Sequence, residues 1–148
     1  MDRQHPRDLF DIKYLLQNEG FTQEIKEGFL FRLLSSERSI QDVLFPNHQD
    51  QRLALVNQFS GMSEEPFSYD EYEQIRAQLI QLIHRSLTQL DKAFILSAKN
   101  TNPDWSIYDF HSFPSIQWKQ QNLVKLKTDN PAKHKEQFES LRNKLESI

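Results

Sequence analysis

The sequence has no cysteine, few glycines and no long apolar run, and each shortage excludes a class of protein. Without cysteine the chain can form no disulfide framework and no thiolate metal site. Three glycines and six prolines are too few for a β-sandwich, which needs a special turn about every ten residues. No apolar stretch reaches the roughly 18 residues that span a bilayer, and the start MDRQHPRDLF is too polar for a signal peptide. We therefore expect a helical, cytoplasmic protein with no membrane segment.

The length of the chain favours one domain, and its charge is unevenly distributed. At 148 residues the chain can bury roughly two-thirds of the surface that its unfolded form exposes, so we expect a single helical domain over residues 1–148. The net charge is −3, but residues 117–148 alone carry a net +3. Such a basic C-terminal part is a weak sign of nucleic-acid binding.

Apolar spacing and helix-start residues predict seven or eight helices with short connections. The longest should follow Ser68, where Glu71 completes a capping-box pattern and apolar residues keep one face to about Leu87. The first should end near Asn18, with Gly20 as its stop signal. The other predicted starts are Pro6, Thr22, Ser39, Thr88, Pro114 and Asn130, and one more helix is predicted over residues 50–59. The predicted fold is an all-α, compact multi-helix bundle.

Standard catalytic patterns are missing from the chain. The five histidines stand singly, and none has the i, i+4 spacing with a glutamate that forms a zinc pair on a helix. No glycine-rich turn follows a strand pattern, and no serine lies in a nucleophile-elbow setting. We predict no metal site and no cofactor in this chain.

An aromatic-rich segment, DWSIYDFHSFPSIQW, covers residues 104–118 and precedes several lysines. Aromatic rings beside basic residues can stack on unpaired bases. Rings at this density more often fill the corner where two helices meet, and we favour that reading. The lysines after Trp118 are expected on a solvated helix face.

The segment HPRDLFDIK, residues 5–13, places Asp8 and Asp11 on one face of the first helix. Residues three apart lie about 60° apart around the helix axis, and Arg7 can pair with Asp11 at i, i+4. This face could hold one divalent ion or the metal of a triphosphate. The same carboxylates also offset the positive end of the helix dipole, which needs no ligand, and spacing alone favours this structural explanation.

The residues around this segment carry a family resemblance. They are Arg3, then RDLFD at residues 7–11 running into IKYLLQNEG, and SFPSIQWKQQNL near the C-terminus. Together they resemble the AbiEii/AbiGii family of nucleotidyltransferase toxins, in the helical part that follows the catalytic domain, over nearly the whole chain. The resemblance implies transfer of a nucleotide from an NTP with magnesium in the intact family, with tRNA among the expected partners.

By this resemblance Asp8 and Asp11 are the remnant of a catalytic site, and Arg3 and Arg7 are contacts to the triphosphate. The family uses four motifs, and Met1 falls inside the third. The lysine of that motif, the Gly-Ser turn with its metal-binding aspartate and the second aspartate have no counterpart in the sequence. Nucleotidyl transfer needs several groups to place metal and triphosphate together, so we expect the N-terminal catalytic half to be missing and the chain to be inactive alone.

Two other functions stay open. The chain could be a non-enzymatic helical interaction module that binds an antitoxin or a separately encoded catalytic half. It could also be an RNA-binding helical domain that uses its basic C-terminal face. If the first helix has lost a packing partner, its exposed apolar residues would favour a homo-oligomer.

Overall fold

The computed structural model describes residues 6–47, 50–53 and 68–148, with side chains from Asp11 onward. Over these ranges the chain forms seven α-helices and no strand, so the predicted all-α bundle is confirmed. None of the described helices is both long and apolar enough to cross a membrane. The helices are α1 (Pro6–Asn18), α2 (Gln23–Ser35), α3 (Ile40–Leu44), α4 (Tyr69–Ser86), α5 (Gln89–Lys99), α6 (Pro114–Asp129) and α7 (Pro131–Glu146).

One predicted helix lies largely outside the described residues. Of the span 50–59, residues 50–53 are described, and Arg52 and Leu53 are helical. The prediction for the rest of that span stays a prediction.

The helices start where caps or prolines were predicted. Prolines occupy the first position of α1, α6 and α7. At five helix starts, that of α7 included, a side-chain oxygen of the cap residue accepts a hydrogen bond from the backbone N–H three residues later, which satisfies a group with no partner inside the helix. These caps are Thr22, Ser39, Ser68, Thr88 and Asn130.

The capping box predicted at Ser68 forms only in part. The Ser68 hydroxyl accepts from the Glu71 N–H at 3.1 Å, but Glu71 Oε2 lies 3.6 Å from Lys13 Nζ and so joins α4 to α1. A complete capping box is found at Thr88, where the Asp91 side chain returns the bond to the Thr88 N–H.

The core is built by every helix from α2 to α7. Helix α6 packs against α2 and α7, α7 also packs against α5, and α1 packs against α4. Apolar stripes at helical spacing therefore meet in one cluster. The largest fully buried side chains are Leu30, Leu33, Leu34, Ile40, Leu44, Tyr72, Phe94, Ile95, Ile116, Leu141 and Leu145.

The aromatic segment between α5 and α6 fills a corner, as predicted. The Phe94 ring of α5 lies 5.2 Å from Tyr108 and 6.1 Å from Phe110 between centroids. On the other side Phe31 of α2 lies 5.5 Å from Phe110 and 4.9 Å from Phe113, both edge-on. Such edge-to-face contacts hold the segment between α2 and α5.

A buried ion pair and the hydrogen bonds around it also join α2, α5 and the aromatic segment. Lys26 Nζ of α2 lies 2.9 Å from Asp91 Oδ2 of α5, and both side chains are buried. The Tyr108 hydroxyl donates to Asp91 Oδ1 at 2.6 Å, and the Thr88 N–H donates to Oδ2 at 2.8 Å. Both carboxylate oxygens are thus satisfied, which offsets the cost of taking the charge out of water.

These contacts change the pKa values of Asp91 and Tyr108. Burial alone would raise the Asp91 pKa, but the hydrogen bonds from Tyr108, the Thr88 backbone and Lys26 hold the pKa below its usual value. For Tyr108, burial and the hydrogen bond to Asp91 raise the pKa to about 12. Tyr108 therefore remains a hydrogen-bond donor at neutral pH.

Replacing Asp91 by Asn should lower the free energy of unfolding by about 3 to 5 kcal/mol, because the Lys26 ammonium would stay buried without its counter-charge. Urea denaturation followed by circular dichroism measures the loss. The matched control is Asp109→Asn, which removes an exposed carboxylate paired with His111 and should change stability by less than about 1 kcal/mol. Similar losses in the two variants would contradict a special role for the buried pair.

Replacing Tyr108 by Phe should weaken the protein most at neutral pH. A lowered Asp91 pKa gives stability that is present above the ordinary aspartate pKa of about 3.9 and is lost as pH falls through the lowered value. The variant should therefore lose about 1.5 to 3 kcal/mol near pH 7, where Asp91 is charged, and progressively less as the pH falls below the ordinary aspartate pKa and through the lowered Asp91 pKa. Urea titrations of both proteins across this range test it, and a difference that does not vary with pH would rule the charged hydrogen bond out.

Candidate functional site

The predicted site residues belong to α1 and to the residues before it. Arg7, Asp8 and Asp11 all lie within the continuous helix α1, so the two aspartates share one face. The Asp11 side chain is exposed. Arg3 and the side chains of Arg7 and Asp8 lie outside the described residues, so the Arg7–Asp11 pair stays a prediction.

Helix α1 has a packing partner within the chain. Ile12 and Leu16 are partly buried against the core. Lys13 reaches Glu71 of α4 across the contact. Because α4 covers part of α1, the reason for expecting self-association through this helix is weaker than the sequence suggested.

A buried arginine lies in α4, the helix against which α1 packs. Arg76 Nη1 donates to the Tyr72 hydroxyl at 3.2 Å, and the guanidinium carbon lies 4.9 Å from the centre of the Tyr72 ring. Burial raises the Tyr72 pKa, and the nearby Arg76 charge opposes this rise. Sequence reasoning missed Arg76. Its signal was a cation placed between Tyr72 and Leu79 on an otherwise apolar face.

The described residues do not offer a magnesium–triphosphate site of their own. No group of three or more His, Asp or Glu side chains within them could hold a metal ion. Asp11 is one exposed carboxylate on a single helix, whereas Mg²⁺ keeps a near-octahedral shell and binds with several waters and phosphate oxygens. Any such site would need the undescribed side chains and further groups.

The lysines of α6 lie in two environments. Lys125 and Lys127 are exposed, as expected for a solvated face. That expectation is wrong for Lys119, which is buried and donates to the carbonyl oxygens of Ser36 at 2.8 Å and Arg38 at 2.6 Å. The end of α2 leaves carbonyl groups without helical partners, and the Lys119 ammonium satisfies one of them.

The two exposed rings of the aromatic segment are Phe113 and Trp118. Phe113 still packs against Phe31 on one side. The Trp118 side chain is 51% exposed, so corner filling does not describe this ring.

Comparison with known proteins gives one match. The family model described as "Nucleotidyl transferase AbiEii toxin, Type IV TA system" matches residues 1–122. No curated protein and no solved structure matches the chain at a significant level. The family match runs from before the Asp8–Asp11 face through the aromatic segment and into α6, well over half of the chain. The chain therefore belongs to the AbiEii family of nucleotidyl transferase toxins of type IV toxin–antitoxin systems.

Proposed function

We propose that the chain corresponds to the helical portion that follows the catalytic domain of an AbiEii-type nucleotidyltransferase toxin, and that these 148 residues alone transfer no nucleotide. The observation that carries the proposal is the motif content of a sequence whose family is known. The RDLFD element is present, but none of the three glycines is followed by serine, and the described residues contain no metal-binding cluster. Placement of metal and triphosphate by several groups at once is what nucleotidyl transfer requires.

The site residues take roles by analogy with the family. Asp8 would be a catalytic or metal-orienting acid and Asp11 its neighbour, while Arg3 and Arg7 would contact the triphosphate. The shared helical face of the two aspartates and the exposure of Asp11 support this assignment. Magnesium and NTP would bind only together with groups that this chain lacks.

A single helical domain over residues 1–148 is part of the same proposal. Helix α7 lies beyond the residues that the family model matches, yet it packs against α5 and α6. Leu141 and Leu145 of α7 belong to the same buried cluster as the α2 leucines. The C-terminal helix thus completes the core.

The proposed partners follow from family and motif content. An antitoxin is the partner that a type IV toxin–antitoxin family suggests. A second partner would be a domain or chain that carries the Gly-Ser and lysine motifs, and it would meet the Asp8–Asp11 face of α1. In the assembled enzyme tRNA is the proposed acceptor.

The purified chain should transfer no nucleotide to tRNA or to itself from any NTP in the presence of magnesium. The assay uses each labelled NTP with Mg²⁺ and follows label on nucleic acid and on protein. The control is the double variant Asp8→Asn, Asp11→Asn. Label above that control on either acceptor would refute the proposed inactivity.

Magnesium should not stabilise the chain, because two carboxylates on one helix are too few for firm binding. If the pair did hold the ion, Mg²⁺ at about 100 times its dissociation constant would stabilise the wild type by about 2.7 kcal/mol and leave the double variant unchanged. Thermal melts with and without Mg²⁺ distinguish the two cases. In the expected case Asp8→Asn loses only about 0.3 to 1 kcal/mol as a first-turn charge.

A further inference from the structure

A cleft of about 220 Å³ lies between α6 and the turn that joins α2 to α3. Residues 36–39 of the turn form one wall, and Trp118 and Lys119 of α6 form another. Lys99 of α5 and Gln137 of α7 also line it. A second hollow of about 250 Å³ shares Lys99 and Gln137 with the first. Helices α5, α6 and α7 and the turn therefore border the cleft, with Lys99 shared by both hollows.

Lys99 is a buried cation whose described partner is neutral. Its side chain is 4% exposed, and Nζ donates to the amide oxygen of Gln137 at 2.8 Å. No carboxylate of the described residues forms an ion pair with it, although Asp42 lines the second hollow beside Lys99 and its charge acts on the ammonium. An ammonium has three N–H donors, and Gln137 accepts one of them.

Burial lowers the Lys99 pKa, because desolvation disfavours the charged form, and the Asp42 charge in the second hollow opposes this only in part. A buried ammonium without a full counter-charge is costly to the fold. An anion that entered the cleft would offset this cost. The contrast with Lys26 is direct, since Lys26 has a carboxylate at 2.9 Å.

The cleft also carries an excess of positive charge. Its charged lining residues are Arg38, Lys99 and Lys119 against Glu37, an excess of two. A phosphate monoester carries roughly −1.5 to −2 at pH 7, which matches this excess better than a carboxylate does. Its several oxygens can each accept a charge-assisted hydrogen bond.

Trp118 adds an apolar contact on the same cleft. Its indole is about half exposed, and exposed aromatic faces stack on planar rings regardless of the identity of the ring. The cleft thus offers the Lys99 ammonium to an anionic group and the Trp118 indole to a planar ring that can stack on it.

We propose that this cleft binds a small molecule in which a phosphate group is joined to a planar ring, of the class of the nucleoside monophosphates. The phosphate lies at Lys99 and the ring lies on Trp118. The site is separate from the Asp8–Asp11 face of α1, so it goes beyond the proposed function and does not depend on it.

The test is a titration of the full chain with adenosine 5′-monophosphate, followed by calorimetry and by tryptophan fluorescence. Saturable binding with a change in fluorescence is expected. Adenosine and inorganic phosphate should each bind about tenfold more weakly, because each provides only one of the two contacts. An oligoadenylate with a 5′-phosphate should bind no more tightly than the mononucleotide.

Three variants assign the contacts. Lys99→Gln should weaken the mononucleotide about tenfold or more. Trp118→Ala, at a half-exposed position, should weaken binding of the mononucleotide but leave binding of inorganic phosphate unchanged. Lys125→Gln is the matched control, since Lys125 is an exposed lysine of α6 that does not line the cleft. It should bind like the wild type.

Any one of three outcomes would overturn the proposal. They are the absence of saturable mononucleotide binding, equal affinity in the wild type and Trp118→Ala, or equal affinity in the wild type and a folded Lys99→Gln. If the oligoadenylate binds more tightly than the mononucleotide and this binding depends on Lys99, the ligand of the cleft is the end of a nucleic acid and not a small molecule. If Lys99→Gln does not fold by circular dichroism, Trp118→Ala alone decides the question.

Discussion

The Asp91 carboxylate is the point at which three parts of the chain meet. It closes the capping box of α5, pairs with Lys26 of α2 and accepts a hydrogen bond from Tyr108, which lies in the segment leading into α6. A buried carboxylate is tolerated only when its oxygens are satisfied, so each of these contacts depends on the other two being in place. The arrangement fixes the segment that leads into α6, and α6 then packs directly against α2 beside the cleft that Lys99 lines.

Helix starts could be predicted because their signals are local. Thr22 and Ser68 accept hydrogen bonds from N–H groups three residues away, and Pro114 needs only its own ring geometry. The environment of a lysine is not a local property. Lys26 meets a partner 65 residues away and Lys119 meets carbonyls 81 and 83 residues away. No period or spacing in the sequence reports such contacts, and this is why Lys119 was assigned to a solvated face.

For the Asp8–Asp11 face, spacing in the sequence predicts the positions of the residues but not their role. Helical spacing puts Asp8 and Asp11 at positions on one face of α1, and it equally explains them as first-turn charges. What distinguished the explanations was the resemblance to a toxin family, and the match over residues 1–122 confirms that resemblance. The roles of the individual residues remain proposals, because a metal–triphosphate site is defined by groups from several motifs, and one helix supplies only part of them.

Three buried lysines of this protein differ in their partners, and this difference distinguishes two structural positions from one candidate binding site. Lys26 has a carboxylate whose two oxygens are satisfied, and nothing further is needed to balance its charge. Lys119 donates to two main-chain carbonyls that bracket a turn, which is a capping role. Lys99 has an amide oxygen and a lowered pKa, and it borders open space. Because the energetic cost of a buried cation must be met by nearby acceptors or negative charge, Lys99, with one neutral acceptor in contact and open space beside it, is the lysine at which an external anion has the most to contribute.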